Sequence, residues 1–85
     1  MKQPTDQEID LVLEQIKAEL KRAVTKHPSH TRSSHHHLAV TEEELHEARL
    51  AVYADDFAHA KKEMLSVGAM AARYILEAQD EKITG

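Results

Sequence analysis

The most constraining feature of this 85-residue chain is a long helical repeat of apolar residues near its start. The repeat advances in steps of three and four residues, the spacing of one face of an α-helix. Its members are Ile9, Leu13, Ile16, Leu20 and Val24. Thr5 and Glu8 precede it with the spacing of a capping box, and Pro28 disfavours helical backbone at the residue before it. The sequence therefore predicts a first helix over about residues 5–26.

Two further helices are predicted downstream. Thr41 and Glu44 form a second capping-box pair, with apolar residues at helical spacing after it. The pair Asp55-Asp56 then offers two N-cap side chains for the next helix. The second and third helices are predicted over about residues 42–54 and 56–82.

Between the first two helices lies a segment with neither a helical nor a strand period. Residues 27–40 hold five of the seven histidines and are predicted to form a His-rich loop. We find no internal repeat and no domain boundary, so residues 1–85 are expected to form a single helical domain. Because a chain this short buries only ~60–65% of its unfolded surface, we expect an all-α helical bundle completed by homo-oligomerisation into a dimer or larger assembly.

The composition excludes several classes of protein. Two glycines and two prolines are too few for a many-turned β domain, and the absence of cysteine excludes disulfides and cysteine-based zinc sites. The net charge of −4 argues against binding to a nucleic-acid duplex. No apolar run approaches the ~20 residues needed to span a membrane, and the charged start does not resemble a signal peptide. We therefore expect a cytoplasmic protein without membrane contact.

Acidic residues at helical spacing suggest a metal site. Glu44 and Glu47 are three residues apart on the second predicted helix, and Glu63 lies on the third. With the turn at Asp55, Glu47 and Glu63 each lie eight residues from it, so an antiparallel hairpin brings them to the same level. Converging carboxylates favour a hard cation, Mg²⁺ or Mn²⁺. Alternatively, glutamates in the first turn of a helix simply stabilise its macrodipole, and the acidic face is solvated.

The sequence resembles the all-α MazG-like nucleoside triphosphate pyrophosphohydrolases, in particular their small phage and bacterial members. The resemblance covers roughly residues 16–78, most of the chain. The matching stretches are Lys26-His27-Pro28-Ser29, Val40-x-x-Glu43-Glu44-Leu45-x-Glu47 and Glu63-x-x-x-Val67-x-Ala69-Met70-Ala71-x-Arg73.

The resemblance implies an all-helical oligomer that hydrolyses a nucleoside triphosphate to the monophosphate and pyrophosphate with Mg²⁺. It carries the catalytic metal ligands over to Glu44, Glu47 and Glu63, with Glu43 as a weaker candidate. The family's fourth ligand, an aspartate, is expected at the position of Ser66. A neutral hydroxyl there weakens divalent binding, so the resemblance implies the fold more directly than the activity.

Basic residues near the acidic motif are candidate phosphate contacts. Lys62 precedes Glu63, Arg73 follows it, and Lys26 lies at the end of the first predicted helix. A lysine would act as a point charge and an arginine as a planar fork. Most surface cations bind no phosphate, so a solvated face is the competing interpretation.

Two other function classes remain open. A non-catalytic helical interaction or assembly module is supported by the short chain and by Ser66. A His-rich metal-binding protein would use the run at residues 35–37 together with His30 or His46, since consecutive side chains of an extended segment alternate in direction. A plain solvated loop is the simpler interpretation of that run.

Overall fold

The computed structural model describes residues 2–28 and 33–78, and these form three α-helices without a strand. The helices are α1 (Asp6–Lys26), α2 (Ser34–Tyr53) and α3 (Phe57–Glu77). The predicted all-α class is thus confirmed for this part of the chain. No helix of the described ranges combines the length and apolar character that a bilayer crossing requires.

The first helix begins and ends as the sequence predicts. The Thr5 side chain accepts a hydrogen bond from the Glu8 amide at 3.1 Å, and the Glu8 side chain accepts one from the Thr5 amide at 2.8 Å. This reciprocal capping box satisfies two amide groups that the first turn would leave unpaired. At the other end, the His27 amide donates to the carbonyl of Ala23 at 2.8 Å.

The predicted start of the second helix and the predicted extent of the His-rich loop are wrong. α2 begins at Ser34 rather than Glu42, because the Ser33 side chain caps it by accepting from the His36 amide at 3.2 Å. Thr41 is therefore no N-cap, and its hydroxyl donates to the carbonyl of His37 inside the helix at 2.9 Å. The histidine run contains no helix-breaking residue, so the helix continues through it. Residues 29–32 lie outside the described part of the chain.

A tight turn at the predicted position joins α2 to α3. Asp55 adopts a left-handed conformation with φ of 58°, which Asp tolerates better than most residues. Asp56 is the N-cap of α3, and its carboxylate accepts from the His59 amide at 3.2 Å. α3 ends at Glu77 with Ala78 as its C-cap, short of the predicted end near residue 82, and residues 79–82 lie outside the described part.

α3 is the central element, since both other helices pack against it. The buried apolar side chains are small, which lets the helices approach closely: Ala48, Ala51, Ala60 and Ala69. At Gly68, a β-carbon would lie 3.3 Å from the Ile16 Cδ1 atom of α1, so this position favours a residue without a side chain. The small residues of α3 thus permit close packing against its neighbours.

Candidate functional site

Two of the three predicted metal ligands meet between α2 and α3. The pKa of Glu44 is raised above its ordinary value, first by burial, then by the hydrogen bond and charge of Glu63, and then by the charges of Glu47 and Glu43. Glu44 and Glu63 are both partly buried, whereas Glu47 is exposed. The residue that faces Glu63 is therefore Glu44. Equal distances from the turn at Asp55 predict Glu47 in that place, which lies one helical turn later on α2.

A histidine extends this carboxylate pair. The His59 Nε2 atom lies 3.5 Å from the Glu63 Oε1 atom, one helical turn away on α3. The His59 side chain is exposed. The four-residue spacing to Glu63 is the signal that predicts the contact.

An open cleft of about 430 Å³ adjoins Glu44. All three helices contribute to it, and its base is formed by α3 residues that include Ser66. The polar and charged side chains at the cleft are Glu19, Arg22, Lys26, His27, His36, Glu44, Ser66 and Arg73. Ser66 and Glu44 thus line the same cleft.

Two cations of α1 stand at the edge of this cleft. Arg22 is exposed and forms an ion pair with Glu19, in which its Nε atom donates to Oε2 at 3.1 Å. That hydrogen bond lowers the pKa of Glu19 against the opposing effect of burial, and the charges of Arg22, Lys62 and Lys26 lower it further. Lys26 is exposed at the cleft, and Lys62 is exposed on α3 near α1. Of the predicted phosphate contacts, Lys26 therefore has the most direct access to the cleft.

Arg73, another predicted phosphate contact, has a structural role. Its side chain is only 3% exposed. It donates to the Ala23 carbonyl at 3.3 Å, to the His27 carbonyl at 2.6 Å and to Glu77 Oε2 at 2.9 Å. Each of its three guanidinium nitrogens thus already has an acceptor, and the residue anchors the C-terminal end of α1 to α3. We therefore leave Arg73 out of the candidate phosphate site.

The histidine run divides into different environments. His37 is 3% exposed, and its ring lies edge-on to Tyr74 with a centroid distance of 5.3 Å. Its Nε2 atom lies 2.8 Å from the Met70 carbonyl, so Nε2 carries the proton and donates. His35 and His36 are exposed, and His46 is exposed on α2. His30, the other proposed zinc ligand, lies outside the described residues.

The donor set fits a hard divalent cation only in part. Within residues 2–28 and 33–78, no three His, Asp or Glu side chains are grouped closely enough to hold a metal ion as they stand. Mg²⁺, however, is commonly bound by one or two carboxylates, with waters and substrate phosphates supplying the other ligands. Glu44 and Glu63 are such a pair of carboxylates, so they fit Mg²⁺ shared with a phosphate ligand better than a complete protein cage.

Comparison of the chain with protein-family models, with curated proteins and with solved structures gave no match. A function for this chain is therefore inferred from its residues and their geometry. The MazG-like resemblance of the sequence stays an expectation.

Proposed function

We propose that this chain is an atypical MazG-like pyrophosphohydrolase, which uses Mg²⁺ or Mn²⁺ to convert a nucleoside triphosphate into the monophosphate and pyrophosphate. The observation that carries the proposal is the facing carboxylate pair of Glu44 and Glu63, of which Glu44 also lines the open cleft that Arg22 and Lys26 line. Carboxylates that repel each other favour a bound cation between them. The cationic side chains of Arg22 and Lys26 favour a bound anion in the cleft.

Each part of the site has a role in this scheme. Glu44 and Glu63 would hold the metal, and the exposed Glu47 adds negative charge to the same region. A divalent cation bound there would supply Lewis acidity for a water and charge neutralisation for the phosphates. Lys26 and Arg22 would attract the remaining negative charge of the phosphate chain, and Lys62 is a weaker candidate. In the overall reaction the water oxygen forms a bond to the α-phosphorus and gives up a proton to solvent, while the bond from the α-phosphorus to the bridging oxygen breaks and its electron pair leaves with pyrophosphate.

A homo-oligomer is part of the proposal. Many large apolar side chains are exposed on all three helices, including Leu38, Leu45 and Phe57. Contiguous exposed apolar surface is typical of interaction sites.

Substitution of the carboxylates tests this function. Glu44→Gln and Glu63→Gln should each abolish Mg²⁺-dependent pyrophosphate release and leave the helical circular dichroism signal unchanged, whereas Glu47→Ala should only reduce the release. Glu42→Gln is the matched control, because Glu42 is exposed on the same helix and is not among the charges that raise the pKa of Glu44. Unchanged turnover in both site variants would disprove the assignment of the site.

A non-catalytic helical assembly module is the second candidate. The exposed apolar side chains favour it, and so does Ser66, a neutral residue at the cleft next to Glu44. This candidate predicts self-association without metal-dependent hydrolysis. A His-rich metal-binding protein has less support, because His37 is already packed against α3 through Met70 and Tyr74.

A further inference from the structure

α1 has a strong apolar stripe, yet none of its side chains is buried. Leu13 is 56% exposed, and Ile9 and Val12 beside it are exposed as well. A single copy therefore leaves this apolar face of α1 exposed.

Charged residues along one side of α1 indicate what covers this surface. Asp6, Asp10, Leu13, Lys17 and Lys21 follow one another at spacings of three and four residues, so they form one exposed row on the helix. The row is acidic in its first half and basic in its second. Leu13 lies close to its midpoint.

We propose that two copies of this chain associate through this row, with their α1 helices antiparallel around a two-fold axis near Leu13. In that arrangement Asp10 lies opposite the partner's Lys17, and Asp6 lies opposite the partner's Lys21. Symmetry repeats both pairs, which gives four complementary contacts around a central pair of leucines. The inference rests on the oligomer in the proposed function and is independent of hydrolysis.

The antiparallel direction follows from the charges. A parallel pair would place Asp10 beside the partner's Asp10 and Lys17 beside the partner's Lys17, so like charges would repel along the whole row. A parallel pair would also place helix ends of the same partial charge side by side, whereas an antiparallel pair places ends of opposite partial charge together. The charge pattern thus selects one direction, and the central leucine supplies the apolar contact.

Sedimentation equilibrium of the full chain tests the pairing. The wild type should be dimeric at micromolar concentration, and Asp10→Lys and Lys17→Glu should each weaken dimerisation. The double variant Asp10→Lys/Lys17→Glu should restore it, because the swapped charges again face each other across the axis. Leu13→Glu should weaken dimerisation at least about tenfold. Leu11→Glu is the matched control, since Leu11 is 66% exposed but lies on the opposite side of α1.

The outcomes separate the parts of the account. Rescue by the double variant supports the antiparallel pairing, because residues 10 and 17 lie two helical turns apart within one chain and cannot restore each other directly. A dimer that is insensitive to all three substitutions on the row would overturn this surface and leave the oligomer standing. A monomeric wild type would overturn both. Neither result bears on pyrophosphate release, which is measured separately.

Discussion

Glu44 of α2 and Glu63 of α3 face each other, and burial together with the hydrogen bond and charge of Glu63 raises the pKa of Glu44. Two carboxylates that face each other between packed helices repel, and this repulsion destabilises the fold unless a proton or a cation is shared between them. This repulsion is the physical basis for a cation site there, and it has measurable consequences.

The first consequence concerns stability without metal. Because the pKa of the Glu44 carboxyl is raised in the folded protein, protonation of this group stabilises the fold. That stabilisation is fully present below the ordinary glutamate pKa of 4.5 and is lost as the pH rises through the raised pKa. At neutral pH, Glu44→Gln should therefore be more stable than the wild type in EDTA, by about 0.5 kcal/mol, and the difference should shrink as the solution is acidified. Urea denaturation at several pH values measures this difference in the free energy of unfolding, with Glu42→Gln as the control. A less stable Glu44→Gln at neutral pH would contradict the repulsion.

Ser66 offers a gain-of-function test of the cleft. Because Ser66 and Glu44 lie at the same cleft, Ser66→Asp should add an anionic ligand and tighten Mg²⁺ binding by about three- to tenfold. Ser66→Asn has nearly the same shape without the charge and is the matched control. Isothermal titration calorimetry compares the two variants, and equal affinities would show that position 66 does not contact the metal.

Arg73 should be essential to stability rather than to phosphate binding. Arg73→Met leaves the carbonyls of Ala23 and His27 and the Glu77 carboxylate without their guanidinium donor, so we expect a loss of about 2–4 kcal/mol in the free energy of unfolding. Lys62→Met, at an exposed position, should change it by less than about 0.5 kcal/mol. Denaturation of both variants in the absence of nucleotide compares their free energies of unfolding. Equal stability of the two variants would reopen the phosphate role of Arg73.

Only one residue of the histidine run should matter for folding. His37→Ala removes a buried ring and its hydrogen bond to the Met70 carbonyl, which should cost about 2 kcal/mol. The neighbouring exposed His35→Ala should be nearly neutral. Thermal denaturation followed by circular dichroism reads out both, and a large loss in His35→Ala would indicate a role for the run that packing does not explain.

Local signals in the sequence were sufficient for much of the fold. The capping box at Thr5 and Glu8 fixes the start of α1, and the pair Asp55-Asp56 fixes the turn between α2 and α3, because each cap depends on neighbouring residues alone. The start of α2 was predicted at the capping-box pair of Thr41 and Glu44, and this prediction was wrong. The structure uses Ser33, which keeps His37 within the helix and against α3.

The candidate site was predictable only in outline. That Glu44 and Glu63 lie near each other followed from the hairpin, but which glutamate of α2 faces Glu63 depends on helix packing. Arg73 illustrates the same limit, since its acceptors at Ala23 and His27 lie 50 and 46 residues away in the sequence. No local pattern marks a contact over that separation.

The most direct test of the account is pyrophosphate release by the wild-type chain from a panel of ribo- and deoxyribonucleoside triphosphates, with Mg²⁺, with Mn²⁺ and with EDTA. We predict metal-dependent release from at least one nucleotide, which would also identify the base and sugar. Absence of release across the whole panel, from protein that is folded and associated, would contradict the hydrolase and favour the non-catalytic assembly module.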